Sequence, residues 1–276
     1  MRNPTLIKHI IFFLLLTGVV AFCLGPVLWQ GITALKPESE LTSLPPIFPT
    51  HPTLQHVQSV FTDHPFLRII SNSVLVASMT TFTSLLVGSL AAFALAWIGF
   101  RGKGVLLAVA LAISMFPPIS TVSPLYLIIR ALGLRDTWWA LVATHTTFAL
   151  PLTLWILTSF FREIPAEIYK AAQMDGCTPF QAFYKIILPL SAPGLMASAI
   201  LVFIFSWNEF LFALSFTTTE ASRTIPVGIA LFPGLHEIPY GEIAAASIIV
   251  TIPVILVALV FQKRMVEGMT AGAVKG

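Results

Sequence analysis

Apolar residues gather in six stretches, 10–29, 71–98, 105–129, 138–160, 195–216 and 243–261. A helix needs about 20 such residues to cross the hydrocarbon of a bilayer, and a helix satisfies its own backbone polar groups there. Each stretch therefore predicts one membrane span, and the expected fold class is an all-α polytopic membrane protein with six transmembrane helices. Arg2 and Lys8 precede the first stretch as they would in a signal peptide. Its length and the lack of an A-x-A-like site predict an uncleaved anchor instead. Segment 30–67 carries Pro37, Pro45, Pro46, Pro49, Pro52 and Pro65, which predict an extended surface loop.

Segment 161–194 is polar yet patterned as helix. Pro165 suits a first turn, Glu167 lies near its positive end, and Gly176 is placed to stop it. Ile164, Ile168, Ala171 and Ala172 follow the i, i+4, i+7, i+8 spacing of one small apolar face, with Glu167, Lys170 and Gln173 turned elsewhere. Thr178 predicts a cap for a second helix, with Pro179 first and Gln181 in capping-box spacing. That helix is expected to end near Leu188, because Pro189 disfavours helix before it. The pattern describes a rigid helix, turn and helix between spans four and five. An interfacial hairpin resting on lipid headgroups fits it as well.

Composition sharpens this. The chain is 57% hydrophobic and 10% charged, with 22 Phe, against about 45–50% and about 25% in soluble domains; one core cannot hide that much apolar surface. The formal charge of +3 is small and scattered, so no nucleic acid partner is implied. Cys23 and Cys177 lie in separate regions, which excludes a disulfide framework. With the N-terminus inside, the inner segments hold Arg2, Lys8, Arg101, Lys103, Arg162, Lys170, Lys185, Lys263, Arg264 and Lys275. The outer ones hold only Lys36, Arg68, Arg130, Arg135 and Arg223, which predicts both termini on the cytoplasmic side.

Glu209 is the acidic residue that falls within a predicted span, and a carboxylate at that depth must face protein or water. With Phe203, Ser206, Trp207, Asn208 and Phe210 it forms a candidate substrate path, although the same residues serve equally as packing and as a helix-to-helix hydrogen bond. Thr144, Thr146 and Thr147 can return their hydroxyls to backbone carbonyls. His145 cannot, and is expected to face the bundle. With no acidic partner near it in sequence, it reads as a packing hydrogen bond before a substrate contact. Pro117-Pro118, Pro151 and Pro253 are placed to break or kink spans three, four and six. His51, His56 and His64 lack the Cys or closely spaced acidic residues of a zinc set, and no metal site is predicted. Residues 99–104 read GFRGKG, without the spacing or the Ser/Thr of a P-loop, and no G-x-S-x-G or H-E-x-x-H occurs. No catalytic residue is predicted.

The run EIYKAAQMDG, Glu167 to Gly176, followed by Ile186 and Leu188-Pro189, resembles the EAA loop of permease subunits in binding-protein-dependent ABC importers. Asn72-Ser73, Ala91-Ala92, Trp207-Asn208-Glu209-Phe210 and the tail from Thr270 to Gly276 resemble the carbohydrate-uptake class, as in the smaller permease of maltose-type systems. The resemblance covers nearly the whole chain and implies a single transmembrane domain, 1–276, in a bacterial or archaeal cytoplasmic membrane. It implies import of a di- or oligosaccharide or related solute with a second permease, an ATP-binding cassette ATPase dimer and an extracytoplasmic substrate-binding protein. It also implies no cofactor on this chain, with ATP and Mg at the ATPase. Coupling falls on Ala171, Ala172, Asp175, Gly176, Ile186 and Pro189. Segment 217–242 resembles the family's contact with the binding protein, and the Pro kinks its alternating access. Lys170 stands where the family usually has the motif's Glu, so its partner on the ATPase should differ too. The rival readings are an ion-driven secondary carrier, which needs coupling carboxylates, and a scaffold that moves nothing.

Overall fold

The computed structural model describes residues 4–41, 46–232 and 238–271. Arg2, Pro45, Pro233, Gly234, Glu237, Lys275, the motif residues 272–276 and the side chains of Lys263 and Arg264 lie outside the described residues. The elements among those described are α1 (Pro4–Ala34), α2 (Glu38–Leu41), α3 (Gln55–Thr62), α4 (Phe66–Trp97), α5 (Lys103–Ser114), α6 (Pro118–Ala131) and α7 (Trp138–Glu163). After them come α8 (Ala166–Met174), α9 (Pro179–Ala182), a π-helical turn (Phe183–Ile187), α10 (Leu188–Leu190), α11 (Ala192–Asn208), α12 (Leu211–Phe216), α13 (Ile225–Ala230) and α14 (Tyr240–Ala271). The fold is all-α, as the hydropathy predicts.

Among the described residues four helices, α1, α4, α7 and α14, are each long and apolar enough to cross a membrane. Two bent pairs raise the number of candidate spans to six. The predicted third span is not one rod: α5 and α6 meet at 97°. Pro117 there is extended, with ψ 122°, because the residue before a proline is pushed out of the helical region. The predicted fifth span is also interrupted, at Glu209 and Phe210. Pro151 and Pro253 by contrast stay inside continuous helices. Segment 30–67 is not extended throughout either. Its prolines flank α2 and α3, and His56 and Val60 of α3 are buried.

The chain divides into two compact units. In the first (Met1–Phe66, Ile229–Pro253), His56 Nε2 meets the Lys36 carbonyl at 2.9 Å. His64 stacks on Phe232, ring centres 4.0 Å apart, and pairs with Glu242 at 3.1 Å. Of His51, His56 and His64, two are thus engaged in local packing. Along α1, Phe12, Phe13, Leu14 and Phe22 are exposed on this chain, an apolar surface suited to lipid.

The second unit (Leu67–Gly228, Val254–Gly276) has a core in two clusters. One joins Val76, Leu141, Phe212, Phe216 and Val227, and the other joins Phe93, Leu157, Phe161, Tyr169, Phe183 and Ile187. Val76 and Phe93 both lie on α4, about 25 Å apart at 1.5 Å per residue. The clusters therefore secure opposite ends of the same helix: one holds segment 212–227, the other the loop between α7 and α11.

Candidate coupling loop and intramembrane polar cluster

The loop begins as the sequence predicts. Pro165 is the N-cap of α8, and α8 ends where the Cys177 amide reaches the Ala172 carbonyl at 3.0 Å and the Gly176 amide reaches Gln173 at 3.1 Å. Gly176 has φ +83°, the left-handed conformation that a residue with a Cβ resists. Thr178 and Gln181 complete the capping box reciprocally, at 3.2 and 2.8 Å.

Two details depart from the sequence reading. Ala171 is exposed, and the buried positions of α8 are Tyr169 and Ala172. The Tyr169 ring lies 6.0 Å from Phe93 and 5.0 Å from Trp97, so aromatic contact rather than small-residue packing fixes the rotation of the helix. Burying an aromatic side chain contributes about 1.5–3 kcal/mol, which holds the loop against α4 and α7. Pro189, secondly, does not end the second helix. An i−4 hydrogen bond at Pro189 is impossible and its ring would press on the Lys185 carbonyl. The preceding turn widens to π form, with the Leu188 amide on the Phe183 carbonyl, and the chain stays helical through Leu190. A 77° bend follows between Leu190 and Ala192.

Of the predicted coupling residues, Ala171, Asp175, Gly176 and Pro189 are exposed, Ile186 is half-buried and Ala172 is buried. Glu167, Lys170, Gln173 and Met174 share the exposed surface, Met174 with 82% of its area free.

The substrate-path residues do not share one wall. Asn208, Glu209 and Phe210 line a cavity of 540 Å³ with Pro118, Phe148 and Phe205. Phe203 lines another, of 380 Å³, and stacks on Trp207, which is buried. Ser206 is buried too, and its hydroxyl lies 2.8 Å from His145 Nδ1. His145, fully buried, donates from Nε2 to Glu209 at 3.0 Å. The carboxylate also accepts from the amides of Phe212 and Ala213, at 2.8 and 3.1 Å, and so caps α12 at the helix break. His145 thus has the acidic partner that its sequence neighbourhood lacks, from 64 residues away. Two of the three neighbouring threonines behave as expected. Thr144 and Thr147 return to their own helix at 2.7 and 2.8 Å, while Thr146 meets Thr83 of α4 at 2.8 Å.

Sequence reasoning missed a second anchor, at the other end of the unit. Asn72 donates to the carbonyls of Glu220 and Arg223 at 3.2 and 2.9 Å and accepts from Trp138 at 3.2 Å. Ser73 accepts from the Ile225 amide at 2.7 Å. Asp136, at φ +60°, accepts from the amides of Thr218 and Thr219 and from the hydroxyls of Thr219 and Ser222. Partial desolvation opposes its charge. The Ser222 hydroxyl and the other donors outweigh that and hold the carboxyl well below its ordinary pKa. Segment 217–225 is therefore fastened to α4 and to the start of α7, not a slack crossing.

Apolar helices, two of them broken beside polar residues, and an anchored but exposed loop define a polytopic membrane protein. Residues 84–270 match the family described as binding-protein-dependent transport system inner membrane component. The chain belongs to that family. It is 48% identical to the trehalose transport system permease protein SugB of Mycobacterium tuberculosis, over 94% of this chain and 95% of that protein. It is 42% identical to the trehalose/maltose transport system permease protein MalG of Thermococcus litoralis, over the full length of both. A chain from the crystal structure of a bacterial ABC transporter involved in the import of the acidic polysaccharide alginate shares the fold, with a TM-score of 0.82 at 22% identity over 95% of this chain and 98% of that one. These relatives are transport permease subunits and not enzymes.

Proposed function

We propose that this chain is the permease subunit of an ATP-driven importer of a di- or oligosaccharide in a bacterial or archaeal cytoplasmic membrane. It works with a second permease, an ATPase dimer that binds ATP and Mg, and an extracytoplasmic binding protein. The chain acts as one transmembrane domain, with both termini inside, and holds no cofactor of its own. ATP binding closes the ATPases, which pull the exposed surface of α8 and the turn at Gly176 and switch the bundle from inward to outward facing. The observation that carries this reading is a knuckle packed on one side and bare on the other: Tyr169, Phe183 and Ile187 are packed into a core while Lys170, Ala171 and Met174 are exposed. A slack hairpin on headgroups would have no such core. The names of the curated relatives, trehalose and maltose permeases, support the sugar class. Asn208, Glu209 and Phe210 then supply polar and aromatic walls to the sugar path. An ion-driven carrier finds less support, because the Glu209 carboxylate is already engaged by His145 and two amides. Purification in mild detergent tests the proposal. A P-loop ATPase should accompany the chain, and uptake into vesicles should require ATP. Uptake by the chain alone, abolished by an ionophore, would establish the carrier instead.

A further inference from the structure

We infer that His145 is a positioning residue that delivers the movement of the 161–194 loop to the helix break at Glu209 and Phe210. The inference rests on the coupling role proposed above. The two long helices α7 and α11 leave the loop at its opposite ends. Near the loop they touch: a Cβ on Gly194 would lie 2.5 Å from the Phe160 ring. Far from it, His145 reaches from α7 to Ser206 in the last turn of α11 and to Glu209 at the break. From Gly194 to Ser206 the helix rises about 18 Å, so the pair is tied at two well-separated places and moves as one body.

The ties differ in kind. Packing at Gly194 resists approach, whereas the His145 contacts are directional and use both ring nitrogens. Glu209 shares its carboxylate between His145 and the first amides of α12. Removing the imidazole therefore leaves α12 capped, and packed on α7 through Phe148 and Phe212, but without a hydrogen-bonded tie to that helix. The loop and its exposed surface are untouched, while the cavity wall formed by Asn208, Glu209 and Phe210 loses its one directional tie, through Glu209, to the rod that moves with the loop. His145 is not a free donor for a solute, since neither nitrogen is unoccupied.

The test uses the complete transporter in proteoliposomes, with Cys23 and Cys177 replaced by Ser and Phe210→Cys as a reporter. The rate of labelling by a water-soluble maleimide is measured with and without a non-hydrolysable ATP analogue. In the His145 background the analogue should change that rate at least fivefold. His145→Leu should reduce the change to less than twofold while ATP hydrolysis stays within twofold of the parent. His145→Gln, which keeps an N–H for Glu209, should restore at least half of the response. A full response in His145→Leu, or equal loss in Leu and Gln, would overturn the inference. Should His145→Leu fail to assemble, His145→Phe, which keeps a ring but no nitrogen for Glu209, is read in the same way, and an undiminished response there overturns it too. A parent that hydrolyses ATP but shows no nucleotide response from the reporter thiol contradicts the coupling role itself, a result distinct from the failure of His145 alone.

Discussion

Gly176 separates a torsional from a steric account of the loop. A Cβ at this position meets nothing within 4 Å, yet the backbone sits at φ +83°. The size of a replacement is therefore irrelevant, and its tolerance of the left-handed region decides the outcome. That conformation costs an L-residue about 1–2 kcal/mol, and a β-branched residue lies at the unfavourable end of this range, whereas Asn adopts it readily. The rest of the loop stays packed through Tyr169, Phe183 and Ile187, so the cost falls on the turn between α8 and α9. A penalty of about 1–2 kcal/mol lowers the ratio of native to non-native turn by a factor of about 5–30. Gly176→Val should lower binding-protein-stimulated ATPase activity in the reconstituted transporter, by at most that factor, and Gly176→Asn should lower it less. Equal activity of Gly, Asn and Val would refute the torsional argument and the role of the turn. Asn as damaging as Val would show that bulk matters at a partner surface.

Tyr169→Ala removes the aromatic that sets the rotation of α8. It should destabilise the loop by about 3 kcal/mol, read as faster proteolysis between α8 and α9 with the membrane helices intact. Gly194→Val places carbon within 2.9 Å of three Phe160 ring atoms. The α7–α11 contact should lose about 1–3 kcal/mol and the melting temperature in detergent should fall, while Gly176→Val leaves it nearly unchanged. Asp136 has a depressed pKa in the folded chain. Its contribution is complete above the ordinary carboxylate value of about 3.9 and is lost as pH falls below that. Protection of segment 217–225 from protease should be the same at neutral and at mildly acidic pH, and should drop in Asp136→Asn at both; a decline between those pH values in the parent would contradict the assignment.

The membrane helices were legible because hydrophobic length is a property of consecutive residues. The ends of α8, the capping box at Thr178 and the turn at Gly176 were equally legible, each being a local motif. The interruptions of the third and fifth apolar stretches were not equally readable. Pro117-Pro118 announces the first, but the break at Glu209 follows from a carboxylate capping the next helix, and Glu within an apolar run does not reveal that. Hydropathy likewise could not foresee that α8 turns Tyr169 inward, since Phe93 and Trp97 come from a distant helix. The pairing of His145 with Glu209, and of Asn72 and Asp136 with segment 217–225, joins residues 64 to 151 positions apart. Such contacts exist only once the chain has folded. Proline inside a helix misled at Pro189 because a π turn absorbs it.

The central claim is that the loop is gripped by a nucleotide-driven partner. A photo-crosslinking amino acid at Met174, the most exposed large apolar side chain of α8, tests it in living cells, with the same group at Trp155 on the exposed side of α7 as the control. An adduct containing a P-loop ATPase should form from position 174 and not from position 155. Membranes that take up solute through this chain yet give no ATPase adduct from position 174 would contradict the account.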